Sequence, residues 1–129
     1  MMKQTILAAM IGTAAATAAA EPKYRPSYDA CIEKAVSTAD TRDCIRQELA
    51  YQDGRLNTAY QNLMRQYSPA QRKILREAQR GWNVYKNKST ELLAAREGTM
   101  YRVMADGYYL QLTAARADEL EEDAALMEH

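Results

Sequence analysis

Few residues of this chain have the chemistry of a catalytic site. Its 129 residues include one histidine, His129, and two cysteines, Cys31 and Cys44. The final residue of a chain tends to fray, so His129 is poorly placed for a Ser/His/Asp triad or a zinc site. Carboxylates are plentiful, but in a chain that is 26% charged they are typical of a solvated surface. The sequence therefore predicts a protein that is not an enzyme and uses no metal or cofactor.

The first twenty residues predict export. Lys3 precedes a short, weakly apolar stretch that ends in Ala18, Ala19 and Ala20, just before Glu21. This pattern is typical of a secretory signal peptide (residues 1–20) cleaved near Ala20, and we expect a periplasmic or secreted product with no integral membrane span. In an oxidising compartment, Cys31 and Cys44 are expected to form a disulfide.

The charges balance in number but not in position. Lys and Arg total 17, as do Asp and Glu, which argues against a nucleic-acid partner. Residues 60–90 hold the bases Arg65, Arg72, Lys73, Arg76, Arg80, Lys86 and Lys88 against Glu77 alone. After Ala117 the charged residues are all acids: Asp118, Glu119, Glu121, Glu122, Asp123 and Glu128. Either the acids attract a basic partner, or the two clusters face each other across a helical hairpin and neutralise one another.

Helical periodicity dominates the rest of the chain. We expect an extended lead-in over residues 21–27 and a helical domain over residues 28–125, in which Ser27 caps a short helix ending near Val36. Asp40 or Thr41 would cap a long second helix that continues through Gly54. A capping box at Ser68 and Gln71 predicts a third helix from Pro69, and Gly98 and Thr99 mark the step to a fourth.

Each long helix has a predicted inward stripe. The second helix has Ile45, Leu49, Gln52, Leu56, Tyr60, Leu63 and Tyr67. The third has Ile74, Ala78, Trp82, Tyr85, Ser89 and Leu92 or Leu93. The fourth has Met100, Met104, Tyr108, Leu112, Ala115 and Leu120. The predicted fold is all-α: a small antiparallel bundle of three long helices and a short, disulfide-tethered N-terminal helix.

Tyrosine is the main aromatic residue, with nine Tyr, one Trp and no Phe. Tyr60, Tyr67, Tyr85 and Tyr108 fall on the inward stripes and are expected in the core. Tyr51, Tyr101 and Tyr109 fall off the stripes. Because tyrosine is enriched at interfaces, these three are candidate partner contacts, together with Asp118, Glu119, Glu121, Glu122 and Asp123.

Three short motifs carry a family resemblance. They are Asp53-x-x-Leu56-Asn57-x-x-Tyr60, Gln79-Arg80-x-Trp82 and Thr113-x-x-Arg116. In this order they resemble the LprI-type lysozyme-inhibitor domain family, over roughly Tyr28 to Leu120. The resemblance implies an exported bacterial helical domain that inhibits lysozyme. Family members usually carry a second cysteine pair, whose positions match Thr90 and Tyr108 here. The polar motif residues are expected to make contacts between helices.

Together these features predict an exported, non-catalytic binding protein. The first hypothesis is a lysozyme-inhibitor-like module that acts by steric occlusion of a protein target. The alternative is a structural, interaction or stress module of the cell envelope that shares the fold and binds a partner other than lysozyme.

Overall fold

The computed structural model describes residues 22–128, which form four α-helices and no strand. They are α1 (Pro26–Lys34), α2 (Thr38–Gln66), α3 (Pro69–Ala94) and α4 (Thr99–Met127). The predicted all-α class is confirmed. The expected signal peptide, its cleavage point and His129 lie outside the described residues. None of the four helices is both long and apolar enough to cross a membrane.

The helix starts follow local capping chemistry, with two differences from prediction. Arg25, rather than Ser27, precedes the first turn of α1, because Pro26 takes the first helical position. Ser37, rather than Asp40 or Thr41, caps α2: its Oγ accepts from the Asp40 amide at 3.0 Å. The predicted capping box of α3 is present, with Ser68 and Gln71 bonded reciprocally. Gly54 lies within α2, as expected.

Helix α4 is the central element of the bundle and packs along both α2 and α3. Ion pairs of Arg42 with Asp106 and of Arg55 with Asp118 show that α2 and α4 run parallel in a constant register. Helix α3 runs antiparallel to α4, since Arg116 bonds to Gln79. The predicted hairpin at Gly98 is therefore confirmed, and Gly98 takes a positive φ of 114° there.

The main apolar core lies at the end of the bundle where α2 turns into α3. Its buried members are Leu56, Ala59 and Leu63 of α2, Leu75 of α3, and Ala117, Leu120 and Ala124 of α4. Tyr60, Met64, Tyr67 and Trp82 pack against this cluster. The predicted stripe of α2 is confirmed, including the core positions of Tyr60 and Tyr67.

Most of the predicted inward residues of α3 and α4 are not buried, although Trp82 packs against the core and Leu120 lies within it. Ile74, Tyr85 and Leu92 are 65%, 57% and 75% exposed, whereas the buried residues of α3 are Leu75, Lys86 and Thr90. In α4 the buried face consists mostly of small residues: Ala105, Leu110, Thr113, Ala114, Ala117, Leu120 and Ala124. Helix α3 packs mainly on one neighbour, α4, so its apolar arc is wider than the contact that covers it.

The N-terminal helix is tied to α2 by the predicted disulfide, Cys31–Cys44, with a Cα–Cα distance of 5.7 Å. One turn beyond Cys44, the buried Glu48 accepts bonds from the Arg25 backbone at 3.0 Å, from Arg25 Nε at 2.9 Å and from Gln52 at 3.0 Å. The lead-in and α1 are thus held against α2 by one covalent bond and one buried polar cluster.

Candidate functional site

Most of the predicted motif residues hold helices together. Leu56 is buried, and Tyr60 and Trp82 pack against the core. The Arg116 Nε donates to Gln79 Oε1 at 3.1 Å and joins α4 to α3. The Thr113 hydroxyl donates to the carbonyl of Tyr109 within its own helix at 2.9 Å.

Three motif residues have no such partner. Asn57 and Arg80 are exposed and Asp53 is half-buried. Within residues 22–128 none of the three side chains makes an ion pair or a hydrogen bond. The exposed Asn57 and Arg80 are therefore open to a partner.

The side chain of Lys86 is part of a buried cluster that the sequence did not reveal. Lys86 is 5% exposed, and its Nζ lies 4.3 Å from the Trp82 ring centroid and 4.2 Å from that of Tyr109. Both rings attract the ammonium group through their π faces. The i, i+4 spacing of Trp82 and Lys86 was the available signal, but Lys86 was assigned to the basic surface.

The three candidate tyrosines lie at separate places. Tyr51 on α2 stacks against Arg25, with the guanidinium carbon 4.2 Å from its centroid. Tyr101, at the start of α4, faces Arg96 at 5.5 Å. Tyr109 lies against Lys86. Each ring has its own cation, and the three do not form one patch.

The candidate acids are divided between paired and open side chains. Asp118 and Glu121 both bind Arg55 of α2, at 2.7 and 2.5 Å, and Glu119 binds Arg116 at 2.6 Å. The hydrogen bonding that Arg55 donates to Glu121 is the largest cause of the raised pKa of Arg55. Among the described residues, Glu122 and Asp123 have no ion pair.

The expected neutralisation between the α3 bases and the α4 acids is wrong. Residues of α3 and α4 do lie level as predicted, but Asp118 and Glu121 point along the α2 side of α4 and meet Arg55. Across residues 22–128, Lys73, Arg76 and Arg80 are exposed and bind no acid. We call these three residues the basic stripe of α3.

The grooves of the bundle are open and mixed in character. One groove, of about 460 Å³, lies between α3 and α4. Its walls include Ile74, Ala78, Glu119, Asp123 and Met127. No group of His, Cys, Asp or Glu suited to hold a metal ion occurs in the described part of the chain.

A small helical bundle tied by a disulfide is typical of an extracytoplasmic domain. Residues 31–120 match the family model described as lysozyme inhibitor LprI, and the chain belongs to this family. The resemblance seen in the motifs is thereby confirmed. No significant match joins the chain to a curated protein or to a solved structure. An inhibitor family is generally non-catalytic, and the family and the disulfide indicate an extracytoplasmic protein.

Proposed function

We propose that this protein is exported by cleavage near Ala20, in the periplasm or outside the cell, and inhibits a lysozyme by steric occlusion of its substrate cleft. The observation that supports this most is the family match, which runs from Cys31 in α1 to Leu120 in α4. The matched segment includes the disulfide, every residue of the main core except Ala124, and most of the interhelix contacts, so the resemblance extends over most of the fold.

The surface charges suit such a target. Lysozyme catalysis depends on two carboxylates in the cleft, and the enzyme body is typically basic. The basic stripe of α3 has no acid partner within the described chain and offers guanidinium groups to cleft carboxylates. Glu122 and Asp123 remain open to a basic rim. Tyr51, Tyr101 and Tyr109 stay proposed aromatic contacts, each at its own place on the bundle.

Inhibition assays with the mature chain, residues 21–129, test the proposal. We expect micromolar protein to stop lysis of a peptidoglycan suspension by at least one lysozyme type, with an endpoint near one inhibitor per enzyme. No inhibition of any type at that concentration would remove this function. Recovery of a different partner from envelope extract would then favour the alternative of an envelope module.

A charge-reversal pair locates the contact. We expect Arg76→Glu combined with Arg80→Glu to weaken inhibition at least tenfold. The matched control is Arg102→Glu on α4, where an exposed arginine also lacks an acid partner among residues 22–128. The control should change inhibition less than twofold. Equal loss in both proteins would show that the basic stripe is not the contact.

A further inference from the structure

One apolar face of the α3–α4 hairpin is left uncovered. On α3 it runs through Ile74, Ala78, Gly81, Tyr85 and Leu92. With Lys88 included, the spacing is four, three, four, three and four residues, which is the repeat of a helix seam that packs against another helix. A sustained heptad pattern on an exposed face indicates that another element covers it.

Helix α4 continues this face. The contacts of Arg116 with Gln79 and of Lys86 with Tyr109 set the antiparallel register of α3 and α4. In this register Tyr85 lies level with Tyr108, so the exposed stripe of α3 adjoins the Tyr108 side of α4. Met104 and Met100 lie one and two turns before Tyr108 and are 47% and 63% exposed. Single exposed apolar residues are ordinary, but a contiguous face two helices wide marks an interaction surface. We call these eight residues the apolar face: Ile74, Ala78, Gly81, Tyr85, Leu92, Met100, Met104 and Tyr108.

We propose that a second copy of this chain packs on the apolar face, with the two α3 helices in contact along their exposed stripes. The α3 helices cross antiparallel about a two-fold axis, in a register that places Gly81 opposite Tyr85 of the second copy. The same register places Ile74 opposite Leu92 of the second copy. A ring therefore lies over a residue without a side chain, and the apolar ends of the stripe meet.

Charge complementarity supports the same register. Lys88 is a polar position of the stripe, and Glu77, directly before Ala78, lies on the same edge of α3. In the two-fold arrangement Glu77 of each copy lies beside Lys88 of the other. Glu77 has no ion-pair partner within residues 22–128, and Lys88 has only its exposed helical neighbour Glu91, at 3.1 Å. A like-sign pairing would instead oppose association.

The size of the face predicts a weak dimer. From Ile74 to Leu92 it is about 27 Å long at 1.5 Å per residue. The α4 part, from Met100 to Tyr108, adds about 12 Å of a second helix. At about 10 Å of width per helix the footprint is on the order of 400 Å² per copy, below the standard size of specific interfaces. The basic stripe lies more than about 100° around α3 from the apolar face and stays accessible in the dimer.

Sedimentation velocity of residues 21–129 between about 1 and 200 μM tests the proposal. We expect a reversible monomer–dimer equilibrium that Ile74→Glu combined with Leu92→Glu shifts at least tenfold toward monomer. Val84→Glu is the matched control, because Val84 is 62% exposed and about 100° around the helix from Tyr85. A monomer at every concentration, or equal weakening in the control, would overturn the proposal.

Cysteine pairing tests the register. Ala78 lies opposite Lys88 of the second copy, so a mixture of the Ala78→Cys and Lys88→Cys proteins should form a disulfide-linked heterodimer under mild oxidation. Each variant alone should remain largely uncross-linked. A dimer that gives no cross-link in the mixture would contradict this arrangement. A parent protein that is monomeric at every concentration, together with loss of lysozyme inhibition in the Ile74→Glu, Leu92→Glu variant, would show that the apolar face contacts lysozyme. That result would also overturn the dimer.

Discussion

At the scale of single residues, Lys86 is a charged side chain that is buried between two aromatic rings. Its ammonium group lies between the Trp82 and Tyr109 rings at 4.3 and 4.2 Å, and no carboxylate binds it in the described chain. The two rings supply the attraction that offsets desolvation.

Replacing Lys86 with methionine keeps the length of the side chain and removes its charge. We expect the free energy of unfolding to fall by about 1–2 kcal/mol, the range for a desolvated cation over an aromatic ring. Urea denaturation of the two proteins measures the difference. A more stable variant would show that the desolvation free energy of the ammonium group exceeds its attraction to the two rings.

Arg25 is the second residue whose role the fold defines. It bonds to the buried Glu48 through its backbone and side chain, and it covers Tyr51. Arg25→Met leaves the Glu48 carboxylate with fewer donors, so we expect about 2 kcal/mol of destabilisation. Gln47→Met is a nearby exposed control expected to change stability by less than about 0.5 kcal/mol. Denaturant melts of both variants decide the matter.

The Tyr85–Tyr108 hydrogen bond gives a prediction about pH. It is the largest cause of the raised pKa of Tyr108, ahead of desolvation. A raised pKa means that the folded state favours neutral Tyr108, so this contribution to stability is present below pH 10 and is lost as pH rises through the folded pKa.

In the Tyr85→Phe protein, the pKa of Tyr108 should move back toward its ordinary value of 10.0. NMR of ring-labelled tyrosine during an alkaline titration reads this pKa directly, with Tyr28 as an internal reference. The pKa of Tyr28 is raised mainly by burial, so it should stay unchanged. A Tyr108 resonance that titrates identically in both proteins would contradict the role given to Tyr85.

At the scale of the elements, the sequence predicted what local chemistry controls. Three features were predictable: the Ser68 capping box, the helical position of Gly54 and the α2 stripe. A cap has a short sequence signature, and α2 packs against both α1 and α4, so its buried face has a regular apolar pattern. The cap at Ser37 was missed, although Ser37 and Asp40 have the spacing of a capping signal.

The predicted stripes of α3 and α4 differ from the buried faces because tertiary packing decides which face of a helix is covered. Periodicity identifies an apolar face but not what covers that face. On α3 the face with the clearest apolar periodicity is exposed to solvent in a single copy of the chain. Leu75 and Lys86 are buried instead, one residue beyond Ile74 and Tyr85. The sequence likewise suggested that the candidate acids of α4 pair with the bases of α3. It gives no sign that Arg55 of α2 lies beside Asp118 and Glu121.

Two glycines give opposite predictions for the same substitution. Gly54 is helical, and a methyl group there would meet no atom within 4 Å, so Gly54→Ala should stabilise by about 1 kcal/mol. Gly98 has a positive φ of 114°, which side chains rarely adopt, so Gly98→Ala should destabilise by about 1 kcal/mol or more. Thermal melts of both variants test the helix assignment and the hairpin. A loss of stability in Gly54→Ala would contradict the continuous α2.

At the scale of the whole molecule, the net charge of zero is the sum of acidic residues on α4 and basic residues on α3, and these have different surroundings. The acids of α4 are largely held by Arg55 and Arg116, whereas the basic stripe of α3 has no acid partner in residues 22–128. The motifs and the charge runs were visible in the sequence. The division of these charges between structural pairs and open surface depends on which faces of α4 meet α2 and α3, and it required the fold.

The central claim is that the mature chain inhibits a lysozyme. The most direct measurement is the rate of peptidoglycan lysis by a panel of lysozymes as residues 21–129 are titrated through micromolar concentrations. We expect lysis by at least one enzyme to stop near a one-to-one ratio, and we expect the Arg76→Glu, Arg80→Glu protein to be needed at ten or more times that concentration. Undiminished lysis by every enzyme, with a folded and disulfide-bonded inhibitor, would contradict it.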